Sequence, residues 1–152
     1  MNYCFAVDKS LGTLAKWLRI LGYDTIYEPE VSSREFCVRL QEPRILITRS
    51  KKIQKTWAFQ HHVFITSNHL VEQLKQVVGQ IGIDRNDVRL FSRCIYCNFP
   101  IDEIHKDEVY GLVPDYIWET QDAFNRCSQC KRIYWSGSHA ERTLERVRQV
   151  FN

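Results

Sequence analysis

Four of the six cysteines stand in two Cys-x-x-Cys pairs, Cys94 with Cys97 and Cys127 with Cys130, and 29 residues separate the pairs. Zn²⁺ takes four thiolates in a tetrahedron, and a two-residue spacer lets one tight turn present two sulfurs to a single ion. Each pair follows an arginine, Arg93 or Arg126, and each spacer is short enough to expose backbone N–H groups to the sulfurs. The spacing therefore predicts two knuckles sharing one zinc. Four thiolates close the coordination shell, so the ion would be structural and would activate no water. Two disulfides, or two separate redox pairs, are the alternatives that the same spacing allows. His61, His62, His69 and His105 have no zinc-like spacing.

A second kind of chemistry is written around Asp8. The run Tyr3 to Val7 is short, apolar and aromatic; it ends at Asp8, and Leu11, Leu14, Leu18 and Leu21 then fall at helical spacing. Ser10 is placed to cap that helix and Gly22 to end it. Thr25 to Tyr27 reads as a second strand, and Ser32 opens a helix reaching about Gln41. Arg44 to Thr48 and Val63 to Thr66 read as strands buried on both faces, with a helix from Lys51 to Phe59 between them. Leu70, Leu74, Val77 and Ile81 mark one more helix.

Strand and helix alternating with short connections predict an α/β fold, a mainly parallel sheet flanked by helices. In such sheets ligands bind beyond the carboxyl ends of the strands. The residues predicted there are Asp8, Ser50 and Asn68. Gly79 and Gly82 loosen the chain afterwards, which sets a boundary near Phe91: an α/β domain over 1–91, then a four-cysteine ribbon over 92–152. Ile133 to Trp135 is strand-like. Ser138 and Glu141 have capping-box spacing before a last helix whose stripe, Ala140, Leu144, Val147 and Phe151, should dock on the body.

The chain has 152 residues, 44% hydrophobic and 26% charged, enough for one ordinary core or a small domain with a metal-held appendage. No apolar run approaches the roughly 20 residues that span a bilayer, and the start lacks the pattern of a signal peptide. The expected compartment is the cytoplasm, with reduced cysteines and no membrane partner. Cys4 and Cys37 read as small buried residues. The net charge of +3 is uneven: residues 1–92 hold 13 Lys and Arg against 9 Asp and Glu, whereas residues 93–152 hold 8 against 9. Arg44, Arg49, Lys51, Lys52 and Lys55 put five cations within twelve residues beside the predicted edge. That is either a solvated helix face or a footprint for nucleic-acid phosphates, the second helped by Trp57 and Phe59. There is no glycine-rich dinucleotide fingerprint, no Walker lysine and no nucleophile elbow.

Taken together, FAVDKSLGTLAKWLRILGYDT, RILITRS, RCIYC, VPDYIWETQDAFNRCSQC and RIYWSGSH resemble the Mut-seven C-terminal ribonuclease domain family, over nearly the whole chain. The resemblance implies a PIN-like nuclease domain with a zinc ribbon, acting on RNA, in which carboxylates at the sheet edge hold Mg²⁺ or Mn²⁺. Asp8 matches the first of these carboxylates and Glu35 best matches the helical one; Arg49, Lys51, Lys52 and Lys55 would hold substrate phosphates. Two positions depart from the pattern, since Ser50 and Asn68 stand where related domains carry acids. Asp8 and Glu35 also suit plain helix capping, Glu35 through Ser32-x-x-Glu35. Two functions follow: a metal-dependent ribonuclease, or a domain with a decayed site that binds RNA or a protein partner without cutting.

Overall fold

The computed structural model describes residues 2–40, 43–56 and 61–152, the side chain of Arg39 excepted. The body is a parallel sheet of β1 (Cys4–Val7), β2 (Asp24–Tyr27), β3 (Ile45–Thr48) and β4 (His62–Phe64), in the order β2-β1-β3-β4. Phe5 pairs with Thr25 on one side and with Ile45 on the other, so the winding reverses between β1 and β3. The carboxyl ends of those two strands meet at the crevice where doubly wound sheets bind ligands.

The expected alternation is met, with differences at the ends of elements. Lys9–Leu11 form a 3₁₀ turn before α1 (Gly12–Ile20), so Ser10 lies within that turn and caps nothing. Gly22 does end the helix, at φ 97°, and a Cβ there would stand 2.5 Å from the Arg89 carbonyl oxygen. No other residue fits that close approach at a left-handed φ. Ser32 caps α2 (Ser33–Arg39), accepting from the Glu35 N–H at 3.2 Å. The predicted end at Gln41 lies outside the described residues, as do Trp57, Phe59 and the rest of the helix predicted beyond α3 (Lys51–Thr56). β4 begins one residue earlier than its apolar run, and α4 (Leu70–Ile81) is closed by Gly82 in the left-handed conformation.

The helices cover both faces because β1 and β3 are buried on both. Leu14, Leu18, Leu74 and Val77 pack with Phe5, Val7 and Ile47 on one face. Phe36, Cys37 and Ile53 pack with Ala6 and Leu46 on the other. Cys37 is buried and Cys4 only partly so.

The stretch between the knuckles has more structure than its sequence announces. β5 (Ile101–Ile104), β6 (Phe124–Cys127) and β7 (Ile133–Trp135) form an antiparallel sheet, with α5 (Asp115–Thr120) between the first two strands. Val109, Val113, Ile117 and Phe124 give it a small core of its own. Last comes α6 (Ser138–Phe151), which turns back onto the body: Val147 and Val150 are buried in the same core as Phe5 and Leu14. Its buried stripe is rotated from the expected one, since Val150 is buried and Leu144 is 37% exposed. Its N-cap is Gly137 with no side-chain bond, so the Ser138–Glu141 box does not form.

Candidate functional site

Two clusters of chemically capable side chains lie at opposite ends of the sheet. At the carboxyl end, β1 delivers Asp8, whose N–H still bonds the Ile47 carbonyl at 2.9 Å and so holds the residue against β3. Its carboxylate is 3% exposed and engaged on both oxygens: Ser33 Oγ donates to Oδ1, and Thr48 Oγ1 donates to Oδ2 at 3.1 Å. The Thr48 hydroxyl in turn accepts the Ser50 N–H at 3.0 Å. Ser50 Oγ accepts the Ile53 N–H at 3.4 Å, as an N-cap of α3 does. Beside them, Arg49 donates to the Asn68 side-chain oxygen.

Of the residues predicted for this edge, the fold brings together Asp8, Ser50, Arg49 and Asn68. Lys51, Lys52 and Lys55 lie exposed on the helix that starts there. Glu35 is not with them: it is exposed, and Ser33, two residues earlier on α2, is the residue facing Asp8. Residues two apart on a helix point in nearly opposite directions. Sequence reasoning missed Ser33, which belongs to no motif, and Glu28. Tyr27 pairs with Val7, and Glu28 follows Tyr27 as Asp8 follows Val7; strand register is a signal that only the pairing reveals.

The donor set at Asp8 does not suit a hard divalent cation as it stands. Mg²⁺ gives up water to anionic oxygens, and both oxygens of Asp8 already accept from neutral hydroxyls. Among the described residues no group of three acids or histidines forms a metal site; the cysteines alone do.

At the amino end of the sheet, the sulfurs of Cys94, Cys97, Cys127 and Cys130 all lie within 4.8 Å of one another. Cys94 Sγ and Cys130 Sγ are 3.7 Å apart, and tetrahedral ligands at about 2.3 Å from an ion would stand about 3.8 Å apart. The four cysteines can therefore hold one metal ion. Burial pushes the Cys94 thiol up, but donors around it, the Tyr134 hydroxyl at 3.0 Å and the Cys97 N–H, outweigh burial and bring it below its usual value. The Arg132 N–H leads the groups that bring Cys130 down to about 6. Cys97, hydrogen-bonded to Cys130, is pushed up to about 12. Cysteine binds metal as the thiolate, so groups that lower a thiol's pKa favour metal binding.

This cluster is bolted to the sheet. Arg19 of α1 donates to the carbonyls of Ile95 at 2.8 Å and Tyr96 at 3.2 Å, inside the first knuckle. Asn98 accepts the Thr25 N–H at 2.9 Å and donates to Asp24 at 2.7 Å. Asp24 also takes a 2.9 Å ion pair from Arg44. The GYDT turn that begins β2 is thus the socket of the ribbon.

A doubly wound α/β body with a carboxylate at its switch point thus carries a four-cysteine cluster able to hold a metal ion. The family model for the Mut7-C RNAse domain matches residues 3–147, and the chain belongs to that family. No curated protein and no solved structure matches it.

Proposed function

We propose that this domain engages RNA at the Asp8 edge and cuts it slowly or not at all, with the cysteine cluster holding a structural zinc. The observation that carries the reading is that the partners of Asp8 on α2 and β3 are the hydroxyls of Ser33 and Thr48. A buried carboxylate whose two oxygens already accept from hydroxyls attracts Mg²⁺ weakly. The exposed Lys51, Lys52 and Lys55 beside it suit a phosphate backbone. Family membership supports RNA as the molecule addressed.

A second reading, metal-dependent cleavage, draws on Glu28, the residue after the Tyr27 that pairs with Val7. Ser33→Asp separates the two. It puts a second carboxylate against Asp8, so the variant should unfold at lower temperature without metal and recover in Mn²⁺, with Mn²⁺ bound at least about tenfold tighter than by wild type. Adding Asp8→Asn should abolish the gain. Single-turnover cleavage of an RNA oligomer by all three proteins is the companion measurement. Wild type cutting as fast as Ser33→Asp, with equal Mn²⁺ affinity, would establish the nuclease reading instead.

A further inference from the structure

The four sulfurs able to hold the metal are not equivalent, and two observations separate them. The first is access: Cys94 and Cys127 are buried, whereas Cys97 and Cys130 are half-buried. The second is what each sulfur receives from groups other than thiols. Cys94 Sγ lies 3.0 Å from the Tyr134 hydroxyl and accepts the Cys97 N–H at 3.4 Å. A metal-bound thiolate carries no proton, so Tyr134 is the donor in that pair. Cys130 Sγ accepts from both the backbone N–H and the guanidinium of Arg132. The side-chain hydrogen bonds of Cys97 run to Cys130 and Cys94 alone among the described residues. Cys97 is therefore the one sulfur that is within reach of solvent and has no donor from outside the cluster.

That difference matters chemically. A hydrogen bond to an ionised group is stronger than one between neutral groups, and a thiolate stabilised in this way is a weaker nucleophile. Arg132 is itself held in place, since its guanidinium stacks over the Tyr96 ring at 3.9 Å. Tyr96 belongs to the spacer of the first knuckle and Arg132 follows the second, so the stack joins the knuckles and commits the cation to Cys130. Cys97 stands between two residues tied to the sheet: the Tyr96 carbonyl accepts from Arg19, and Asn98 binds Thr25 and Asp24. The first knuckle thus keeps its place when the bond from Cys97 to the metal is lost.

We propose that Cys97 is the reactive ligand of the metal site, a modification site for small electrophiles, and that Arg132 and Tyr134 are positioning residues that keep Cys130 and Cys94 on the metal. The proposal rests on the four cysteines holding zinc. With iodoacetamide as the electrophile, the Cys97 sulfur bonds to the methylene carbon, the carbon–iodine bond breaks, and iodide leaves with the electron pair. The product is a neutral thioether, which offers the metal no charge. Three thiolates remain, two of them held by Tyr134 and Arg132.

The test uses the full chain loaded with zinc and substoichiometric iodoacetamide, the labelled residue being read by peptide mass spectrometry. Cys97 should carry most of the label. In Arg132→Ala the labelling of Cys130 should rise about tenfold, the scale of a hydrogen bond to a charged group, and match that of Cys97. Tyr134→Phe should weaken zinc about tenfold in competition with a chromophoric chelator. In the Co²⁺-loaded protein the same change should move the thiolate-to-cobalt absorption to longer wavelength, a shift that lost packing alone does not produce. Label arriving first on Cys130, or equally on Cys97 and Cys130, in wild type would overturn the proposal. So would an Arg132→Ala protein that keeps the wild-type order, or a Tyr134→Phe protein with unchanged affinity and absorption. Purified, unchelated wild type without bound metal would overturn it together with the zinc reading beneath it.

Discussion

Asp24 illustrates how much one side chain can hold together. Burial alone would raise its pKa; hydrogen bonds from Arg44 and Asn98, reinforced by the Arg44 charge, outweigh that and hold it below the usual carboxylate range. A depressed folded value means stability that is present above the unfolded pKa of about 3.9 and is lost as pH falls through the folded value. Asp24→Asn should therefore be less stable than wild type at pH 7 by about 1.5 kcal/mol, the scale of a hydrogen bond to a charged group. The gap should close as pH falls through the folded value, as followed by urea unfolding at each pH. A constant gap would move the acid-sensitive group elsewhere. From sequence this residue reads as the start of a strand or a packing position, because its partner Asn98 lies in another segment and no local pattern links them. The cysteines were legible for the opposite reason: zinc chemistry imposes a spacing within each pair. Ser33 was hidden because it lies 25 residues from Asp8 and no local spacing links them.

At the scale of elements, those with strong periodicity or a continuous apolar run were legible, including α1, α4, β3 and β7. β5 and β6 were not. Their sequences, IDEI and FNRC, are least exposed only at their ends, so neither alternation nor a hydrophobic run announces them. α5 has six residues, too short for a helical stripe to repeat. The capping box predicted for α6 fails because Gly137 takes the N-cap position in its place. α3 carries a prediction of its own, since Lys51, Lys52 and Lys55 are exposed on a helix that starts at the Asp8 edge. If they neutralise phosphates, changing all three to Ala should reduce the slope of log affinity against log salt by about 2 for single-stranded RNA. An unchanged slope would mean the backbone runs over a different face.

The whole molecule is less separable than a boundary near Phe91 suggests. The metal cluster is anchored to α1 and β2, and α6, which follows the ribbon in sequence, completes the core that β1 begins. The two ends of the sheet thereby carry different groups: a carboxylate and lysines at one, the cysteine cluster and its socket at the other. No helix is long and apolar enough to cross a membrane among the described residues. The parallel sheet and its helices were legible from alternation alone, whereas the return of α6 could be read only as an apolar stripe wanting a surface.

That return turns the ribbon into a closed loop. Phe5 and Val150 share one core, so the core cannot close until a segment spanning residues 92–137 has brought its two ends together. Closing a flexible loop costs about 0.6 kcal/mol for each doubling of its length. A metal that ties Cys94 to Cys130 leaves only the short arms outside them to be closed, roughly two doublings fewer, or about 1.2 kcal/mol. The ion would then be a kinetic clip as well as a strut. Refolding from urea should be up to about tenfold faster with zinc present than with a chelator, followed by fluorescence of Trp17, which packs against the core beside α6. Equal rates would mean that α6 finds its groove before the ribbon forms.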